Sequence, residues 1–531
     1  MTEFLLLKIV AGLFFGCLLI TVGLIPLVMR FARRVGAVDR GGYRKVFEGA
    51  MPLLGGLGIA LPLLVVGAVA SAGGYLLLWG NNWKWLLKHF PDQFDFFYNL
   101  ASYNRNDLLI LVLGGIAILV LGLVDDTRGM RARWKLLGQV GVAAFVCFAG
   151  YGLNTVSLPF VGTIELGFLL GSLLTMFWIV GMINAFNLID GVDGLASGIA
   201  LVGVIALVVL GFLQENVYVT FVGAAMAGCL LGFLVYNFPP ARIFMGDTGS
   251  MFIGFTLAAM SLMGSQKSET AVILLTPTLA LSFPIFETLI SIVRRYLRGV
   301  PIFAGDNHHT HHRLLGKGYS QPRVVLTLYG VAICLATAAV LSALIPLESR
   351  WSGLPYALYA GALVYIAWLA GYLRPTAFRT IFERRQKNRL YHALAAYAKL
   401  CLDNHGGCVE RRLLLELCRH ELGLRYLEVQ LEGGTRLMAS EGVPAQVATL
   451  ESAETLRVKS SDDHDVFLYY AFGEVPSDNH RQDVIACLAG IFDQCITDHA
   501  ANQQEIELAG VEDERPDASN EILPVSEPRS S

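Results

Sequence analysis

Charge-bearing side chains gather at five points in a chain that is otherwise strongly apolar. The first is Asp125-Asp126, which closes the apolar run 108–124. Two adjacent carboxylates at a helix C-terminus repel each other and oppose the helix dipole, so they need a divalent cation or several basic neighbours. Arg128, Arg131 and Arg133 offer the plainer alternative of a solvated, neutralised turn. The second point places Asn184, Asn187, Asp190 and Asp193 within ten residues, with Gly191 and Gly194 between them. A spacing of three puts the two carboxylates on one side of a helical turn, and glycine lets backbone approach a ligand. The third, Gly246-Asp247-Thr248-Gly249-Ser250 after Asn237, can present N–H groups to phosphate at a helix start, with Asp247 ligating a metal on that phosphate. A simple helix cap explains one of those acids and leaves Asn237 and the glycines over. The fourth is Asp306-Asn307-His308-His309-Thr310-His311-His312-Arg313. Consecutive histidines without cysteine enclose one tetrahedral zinc poorly, so hydrogen-bond donors to phosphate oxygens are the better reading. The fifth, 39–56, is a basic loop with Arg40, Arg44 and Lys45 that ends in Gly55-Gly56.

The elements that position these residues are membrane helices. The chain has 531 residues, 54% hydrophobic and only 16% charged. Apolar runs near 4–29, 53–79, 108–124, 136–151, 166–185, 195–213, 217–236, 251–263, 271–293, 324–345 and 355–372 predict an all-α polytopic membrane protein of about 11 transmembrane helices. A net charge of −3 with no basic excess excludes nucleic acid as a partner. One alternating set of loops carries 17 Lys/Arg and the other 5, which places the N-terminus outside and the C-terminus in the cytosol. All five polar clusters then fall on the cytosolic side. The outside loop 80–107 is rich in aromatics and is expected to lie among lipid headgroups.

Charge also divides the chain. Residues 1–390 hold 29 basic and 18 acidic side chains, and residues 391–531 hold 11 and 25. The expected organisation is a membrane domain over 1–373, a basic juxtamembrane linker over 374–390 and a cytosolic α+β domain over 391–508. A disordered acidic tail over 509–531 follows. Helix, strands, then helix in that order resembles a shortened GAF-type domain, with alternating strands near 426–431 and 466–472. Five cysteines without a paired framework suit a reducing compartment.

Carboxylates, histidines and arginines beside a bilayer select a hard cation such as Mg²⁺ and suit phosphoryl chemistry on a polyanion, with the membrane supplying a lipid substrate. Asp125-Asp126, Asn184-x-x-Asn187-x-x-Asp190-Gly-x-Asp193-Gly, Gly246-Asp247-x-Gly249-Ser250 and His309-x-His311-His312-Arg313 resemble, in order and topology, the polyprenyl-phosphate N-acetylhexosamine-1-phosphate transferase family. The resemblance implies transfer of N-acetylhexosamine 1-phosphate from a UDP-sugar such as UDP-N-acetylglucosamine to undecaprenyl phosphate. This would be an early step of lipopolysaccharide or cell wall biogenesis at a bacterial inner membrane. It implies Asp125, Asp126, Asp190, Asp193, His311 and His312 as catalytic residues, and Lys45, Asn187, Asn237, His309 and Arg313 as substrate contacts. Asp247 and Asp126 are the implied ligands of Mg²⁺, or of Mn²⁺ in its place. Gly41-Gly42 and Phe47 depart from the family's first loop, and Asn307 stands where arginine is common.

Three alternatives accompany that expectation. The related phospho-N-acetylmuramoyl-pentapeptide transferases usually carry three consecutive histidines followed by aromatic and acidic residues, unlike His311-His312-Arg313-Leu314. A transporter would place charges along a mid-membrane path, where Glu287 is the one obvious acid. A sensor would work through residues 391–508, which are otherwise expected to dock a regulatory protein or a second copy in a homodimer.

Overall fold

The computed structural model describes residues 2–39, 51–79, 82–91, 94–153, 155–158, 162–265, 275–298, 309–346 and 349–372, and four strands between 424 and 472. These fall into two compact units, one of helices and one holding the strands. Lys45, His308, the linker 374–390, the tail 509–531 and the helices expected to flank the C-terminal strands lie outside the described residues.

The helical unit begins with α1 (Thr2–Val35), followed by a minimal antiparallel pair, β1 (Val38–Asp39) and β2 (Met51–Pro52), and then α2 (Gly55–Leu78) and the short α3 (Trp83–His89). Next come α4 (Phe94–Arg128), α5 (Ala132–Val146) continuing as a π turn to Tyr151, and an antiparallel hairpin of β3 (Thr155–Leu158) and β4 (Gly162–Glu165). Then follow α6 (Gly167–Ile189), α7 (Leu195–Leu213), α8 (Val217–Asn237) and α9 (Gly246–Ser265). The unit closes with α10 (Leu275–Ala280), α11 (Ser282–Arg298), α12 (Thr310–Leu315), α13 (Gln321–Leu344) and α14 (Gly353–Leu369).

Eight of these helices are long and apolar enough to cross a membrane: α1, α2, α4, α5 with its π turn, α6, α7, α8 and α13. The chain is thus a multi-pass membrane protein. The remaining expected spans differ for identifiable reasons. Helix α14 is apolar but has 17 residues. Helix α9 opens on the polar Gly246–Ser250 turn. From Leu275 on, the run expected over 271–293 is two helices rather than one, broken at Leu281. Pro284 has no N–H to give the carbonyl four residues back, so the helix restarts just before it. Helix α11 is moreover not uniformly apolar, because it buries Ser282, Glu287, Ser291 and Arg294 along its length. The aromatic segment 80–107 is largely helical, beginning with the separate short α3. From Phe94 it is helix, continuous with the span, so that α4 runs 35 residues and about 52 Å.

Packing centres on α8 and α9. Helix α8 lies against α1, α2, α7 and α9, while α9 is embraced by α2, α4 and α6. From Thr248 to Leu262 every residue of α9 is buried. A helix enclosed on all sides needs no polar face, and in lipid it is held by close contact between small residues rather than by hydrophobic expulsion. Glycine supplies that contact. A Cβ on Gly56 of α2 would lie 2.1 Å from the Gly249 nitrogen, one on Gly122 of α4 would lie 2.5 Å from the Thr248 Cα, and one on Gly254 would lie 2.6 Å from the Ile183 Cα on α6. The Gly55-Gly56 pair also donates its N–H groups to the carbonyls of Phe244 and Met245 at 3.0 and 2.9 Å, locking α2 to the segment that enters α9.

The second unit contains one antiparallel sheet of β5 (Leu424–Leu431), β6 (Arg436–Ser440), β7 (Glu454–Lys459) and β8 (Asp465–Phe472), in the order β6-β5-β8-β7. Strands β5 and β8 extend the two alternating runs read from the sequence, and β6 and β7 flank them.

Gly56→Ala drives a methyl into the backbone of α9 and should destabilise the helical unit by about 1–3 kcal/mol. Thermal unfolding in detergent checks this against Gly73→Ala, whose methyl meets open space and should leave the midpoint nearly unchanged.

A candidate active site at the helix ends

The site forms where α4 ends, α5 and α9 begin, and α6 turns into α7. Gly246 takes φ +72°, a left-handed conformation open to glycine, and a Cβ there would lie 2.5 Å from Asp126 Oδ2. The carboxylate of Asp126 can therefore come down directly on the start of α9. It accepts the Asp247 N–H at 2.8 Å, the Thr248 N–H at 2.9 Å and the Thr248 hydroxyl at 2.5 Å. Asp126 is an N-terminal cap donated by a different helix, and it places negative charge at the positive end of the α9 dipole.

Asp125, one residue earlier, serves a different partner. Its Oδ2 lies 2.9 Å from Lys135 Nζ, and the same ammonium lies 2.7 Å from Asp247 Oδ2. Asp125 Oδ1 accepts the Met130 N–H at 2.8 Å, which closes the turn between α4 and α5. Asp247 Oδ1 accepts a short hydrogen bond from Asn187 Nδ2, which also reaches Ser250 Oγ at 3.0 Å. One turn deeper the pattern repeats without charge, since Asn184 Nδ2 donates to Gln139 Oε1 at 2.7 Å and Gln139 Nε2 reaches Met251 Sδ at 3.3 Å. Helices α5, α6 and α9 thus meet in two rungs: Lys135, Asn187 and Asp247, and below them Gln139, Asn184 and Met251. The side chain of Asp125 is 9% exposed and that of Asp247 31%, so Asp247 is the carboxylate still open to a ligand.

The α6–α7 turn supplies two further acids. Burial pushes the Asp190 carboxyl well above its usual range, and the nearby charges of Asp247, Asp126 and Asp193 push it further. Asp193 faces the other way, where its Oδ2 accepts the Ala241 N–H at 3.1 Å and holds the 238–243 loop. Asn237 is buried and its amide is committed: Oδ1 accepts from Gly194 N and Ser197 Oγ at 3.0 and 3.1 Å, and Nδ2 donates to the Ile243 carbonyl at 2.9 Å. Tyr329 Oη donates to the Gly194 carbonyl at 2.5 Å and pins the same turn.

The histidines form a cluster that joins this turn. Ring centroids of His311 and His312 are 4.4 Å apart, and those of His309 and His311 are 5.6 Å apart. His311 lies against Gly191, where a Cβ would come 2.8 Å from its Nε2, and that nitrogen has no hydrogen-bond partner among the described residues. Burial holds the His311 imidazole well below its usual pKa, and the other two histidines lower it further, so it is neutral at pH 7. Glu287, the mid-span acid of α11, accepts the Thr310 N–H at 3.2 Å and so anchors the start of α12.

Asp125, Asp126, Asn187, Asp190 and Asp247 thus converge, with His311 reaching the same turn through Gly191. Asp193 and Asn237 brace the loop beside it. Lys135, Thr248, Gln139 and Tyr329 have no place in the sequence-based set. Lys135 there is only one of many loop cations. Its overlooked signal is a lysine four residues before a glutamine on an otherwise apolar helix, a polar stripe that needs partners inside the bundle.

Among the described residues, no three His, Cys, Asp or Glu side chains are placed to enclose a metal. The donors suit a different arrangement. Asp247 is the residue that could hold a hydrated Mg²⁺, which binds through one or two carboxylates plus a substrate phosphate, although the Lys135 ammonium already occupies one of its oxygens.

Residues 108–265 match the family described as glycosyl transferase family 4. The chain is 36% identical over 316 residues to the probable undecaprenyl-phosphate N-acetylglucosaminyl 1-phosphate transferase of Bacillus subtilis, covering 59% of this chain and 80% of that protein. It is 36% identical over 323 residues to the decaprenyl-phosphate N-acetylglucosaminephosphotransferase of Mycobacterium tuberculosis, covering 57% and 74%. Identity to the phospho-N-acetylmuramoyl-pentapeptide-transferase of Listeria monocytogenes is 35% over 236 residues, covering 41% and 70%.

Removing the ammonium leaves two facing carboxylates, so Lys135→Met should lower stability by about 2 kcal/mol, less than for a fully buried pair because the site is partly wet. Adding Asp125→Asn should recover part of the loss, read as thermal midpoints in detergent. Gly191→Ala should displace the His311 ring and raise its modification by diethyl pyrocarbonate, followed by peptide mass spectrometry, above that of the protected wild-type ring.

Proposed function

This chain belongs to glycosyl transferase family 4, and from that premise we propose that it transfers N-acetylglucosamine 1-phosphate from UDP-N-acetylglucosamine to undecaprenyl phosphate. An acceptor phosphate oxygen forms a bond to the β-phosphorus of the donor. The bond between that phosphorus and the bridging oxygen breaks, and UMP leaves with the electron pair. The products are undecaprenyl-diphosphate-N-acetylglucosamine and UMP.

The observation that carries this reading is the Asp125–Lys135–Asp247 bridge, set at the ends of apolar helices, with His311 packed on Gly191 of the α6–α7 turn. Phosphoryl transfer asks for positioning and charge neutralisation more than for covalent help. Both reactants are anions and the site is acidic, so an added cation is needed to bring them together. The open carboxylate of Asp247 would hold Mg²⁺ against the donor diphosphate, and Mg²⁺ would neutralise the charge that develops on the leaving phosphate. Lys135 fixes Asp247 and Asp125 in register, and Asp126 fixes the helix that carries Asp247. Asp190 adds its carboxyl at the same turn. Hydrogen-bond donors from His309, His312 and Arg313 would meet the diphosphate from the other side, where such contacts gain strength as charge builds. Asp193 and Asn237 support this surface by holding the α6–α7 turn, and Lys45 is proposed as a further substrate contact.

The apolar exterior of the bundle supplies a surface along which a polyprenyl chain can lie with its phosphate at the helix ends. We place that end, and the C-terminal unit, on the cytosolic side of a bacterial inner membrane, on the strength of the Lys/Arg asymmetry between loops. Residues 391–508 are proposed to dock a regulatory partner or a second copy. The Listeria relative supports a second reading, in which the donor carries a muramoyl pentapeptide, and His311-His312-Arg313-Leu314 favours the first.

A panel of radiolabelled UDP-sugars, incubated with the purified chain, undecaprenyl phosphate and Mg²⁺, decides the activity. Lipid-extractable label from UDP-N-acetylglucosamine is expected, while label from the muramoyl-pentapeptide donor alone would select the second reading. EDTA should abolish transfer and added Mg²⁺ restore it. Asp247→Ala should lower turnover at least about a hundredfold without loss of the folded protein, and near wild-type turnover would remove Asp247 from the centre.

A further inference from the structure

Helix α12 carries the histidines and Arg313, and it is only six residues long. So short a helix has little stability of its own and takes its position from what it touches. Its N-terminus is held by Glu287. Its C-terminal side is strapped to the end of α14. Lys317 Nζ donates to the Leu369 carbonyl, and the Arg313 guanidinium carbon lies 4.3 Å from the centroid of the Tyr372 ring.

Tyr372 is itself unusually well fixed. Helix α14 ends in a Schellman turn, with Gly371 at φ +78°, its N–H bonded to the Trp368 carbonyl at 2.9 Å, and the Tyr372 N–H bonded to the Ala367 carbonyl at 2.8 Å. This sets the backbone from which the ring projects. The far end of the ring is set too, because Arg294 Nη1 of α11 donates to Tyr372 Oη at 2.8 Å, and Arg294 Nη2 donates to Ser291 Oγ at 3.0 Å. One tyrosine therefore takes a buried guanidinium on its hydroxyl and a second, half-buried one on its face. The Arg313 guanidinium has no hydrogen bond or ion pair to another described residue; only its backbone N–H is used, on the His309 carbonyl. A guanidinium held over a ring face by cation–π attraction keeps N–H groups free for a planar or tetrahedral oxyanion.

We propose that Tyr372 is a positioning residue for donor binding, holding Arg313 face-on so that its N–H edge is ready for the diphosphate of the UDP-sugar. The assignment rests on the reading above, in which the His–Arg segment meets that diphosphate. A free arginine has many rotamers to lose on binding an anion, and stacking removes that loss in advance. The ring matters for this role and the hydroxyl matters less, which separates positioning from general support of the fold.

The test uses the full chain in nanodiscs with undecaprenyl phosphate and Mg²⁺, and measures KM for UDP-N-acetylglucosamine separately from kcat. KM does not depend on the fraction of folded enzyme, so partial misfolding does not mimic the effect. Tyr372→Leu is expected to raise KM about tenfold with a smaller change in kcat, while Tyr372→Phe, which keeps the ring, stays within about threefold. Arg313→Gln should raise KM at least as much as Tyr372→Leu, and adding Tyr372→Leu to it should change KM no further. An equal tenfold rise from Tyr372→Leu in the Arg313→Gln background, or damage from Phe equal to that from Leu, would overturn the inference while leaving the donor-site reading intact. An unchanged KM in Arg313→Gln would instead remove Arg313 from the donor site, and the role of Tyr372 would fall with it.

Discussion

One half-buried ammonium sets the terms for the rest of the site. Four carboxylates, Asp125, Asp126, Asp190 and Asp247, approach one another at the end of a bundle whose interior is mostly apolar. Unscreened, they would push α4 and α9 apart. Lys135 lies between Asp125 and Asp247, within 3 Å of each, and so joins three helices through a single charge. Asp126 is neutralised differently, by two N–H groups and a hydroxyl at the head of α9. Asp190 receives neither device, and burial pushes its carboxyl well above its usual range. Each acid has its own electrostatic solution, and the one left with an open edge is Asp247.

Such charges can be fixed only if the backbones that carry them are fixed. Glycine provides this at the helix ends. Gly56, Gly122 and Gly249 let α2, α4 and α9 touch main chain to main chain, and Gly246 gives the left-handed turn that admits the Asp126 carboxylate. With the carboxylates on helix ends rather than on free loops, their spacing is set by packing in the membrane. The histidine segment is built on the opposite principle. It is short, and it is held by contacts made from outside: Glu287 at its start, Gly191 under His311, and Tyr372 and Leu369 beyond it.

These two constructions suit two tasks in one reaction. In the proposed reaction the rigid acidic side would keep anionic groups in register for a cation and a lipid phosphate at the membrane edge. The strapped basic and histidine side would meet a soluble, nucleotide-bearing donor that must enter and leave. The membership of the chain in glycosyl transferase family 4 fits this division, since its matched segment, 108–265, contains the whole acidic side and ends before the histidines.

Much of this was legible in residue order alone. Apolar runs announce membrane helices because lipid leaves the backbone no other way to satisfy its hydrogen bonds, and acids beside glycines at the ends of those runs are too costly to be incidental. Strands β5 and β8 follow from two-residue alternation. Asn237 and Asp193 were equally visible, but their types fit ligand contact and internal bracing alike, and only the fold shows their amide and carboxylate turned onto Gly194, Ile243 and Ala241. The break at Leu281 was hidden because an apolar run reads the same whether one helix or two pass through it. Lys135 and Tyr372 were beyond reach for a deeper reason. A charge or a ring acquires its meaning from partners on other helices, 112 residues away for Lys135 and Asp247, and 78 for Arg294 and Tyr372. Local pattern reports what a segment must bury, while the identity of its neighbours is decided by how the helices pack.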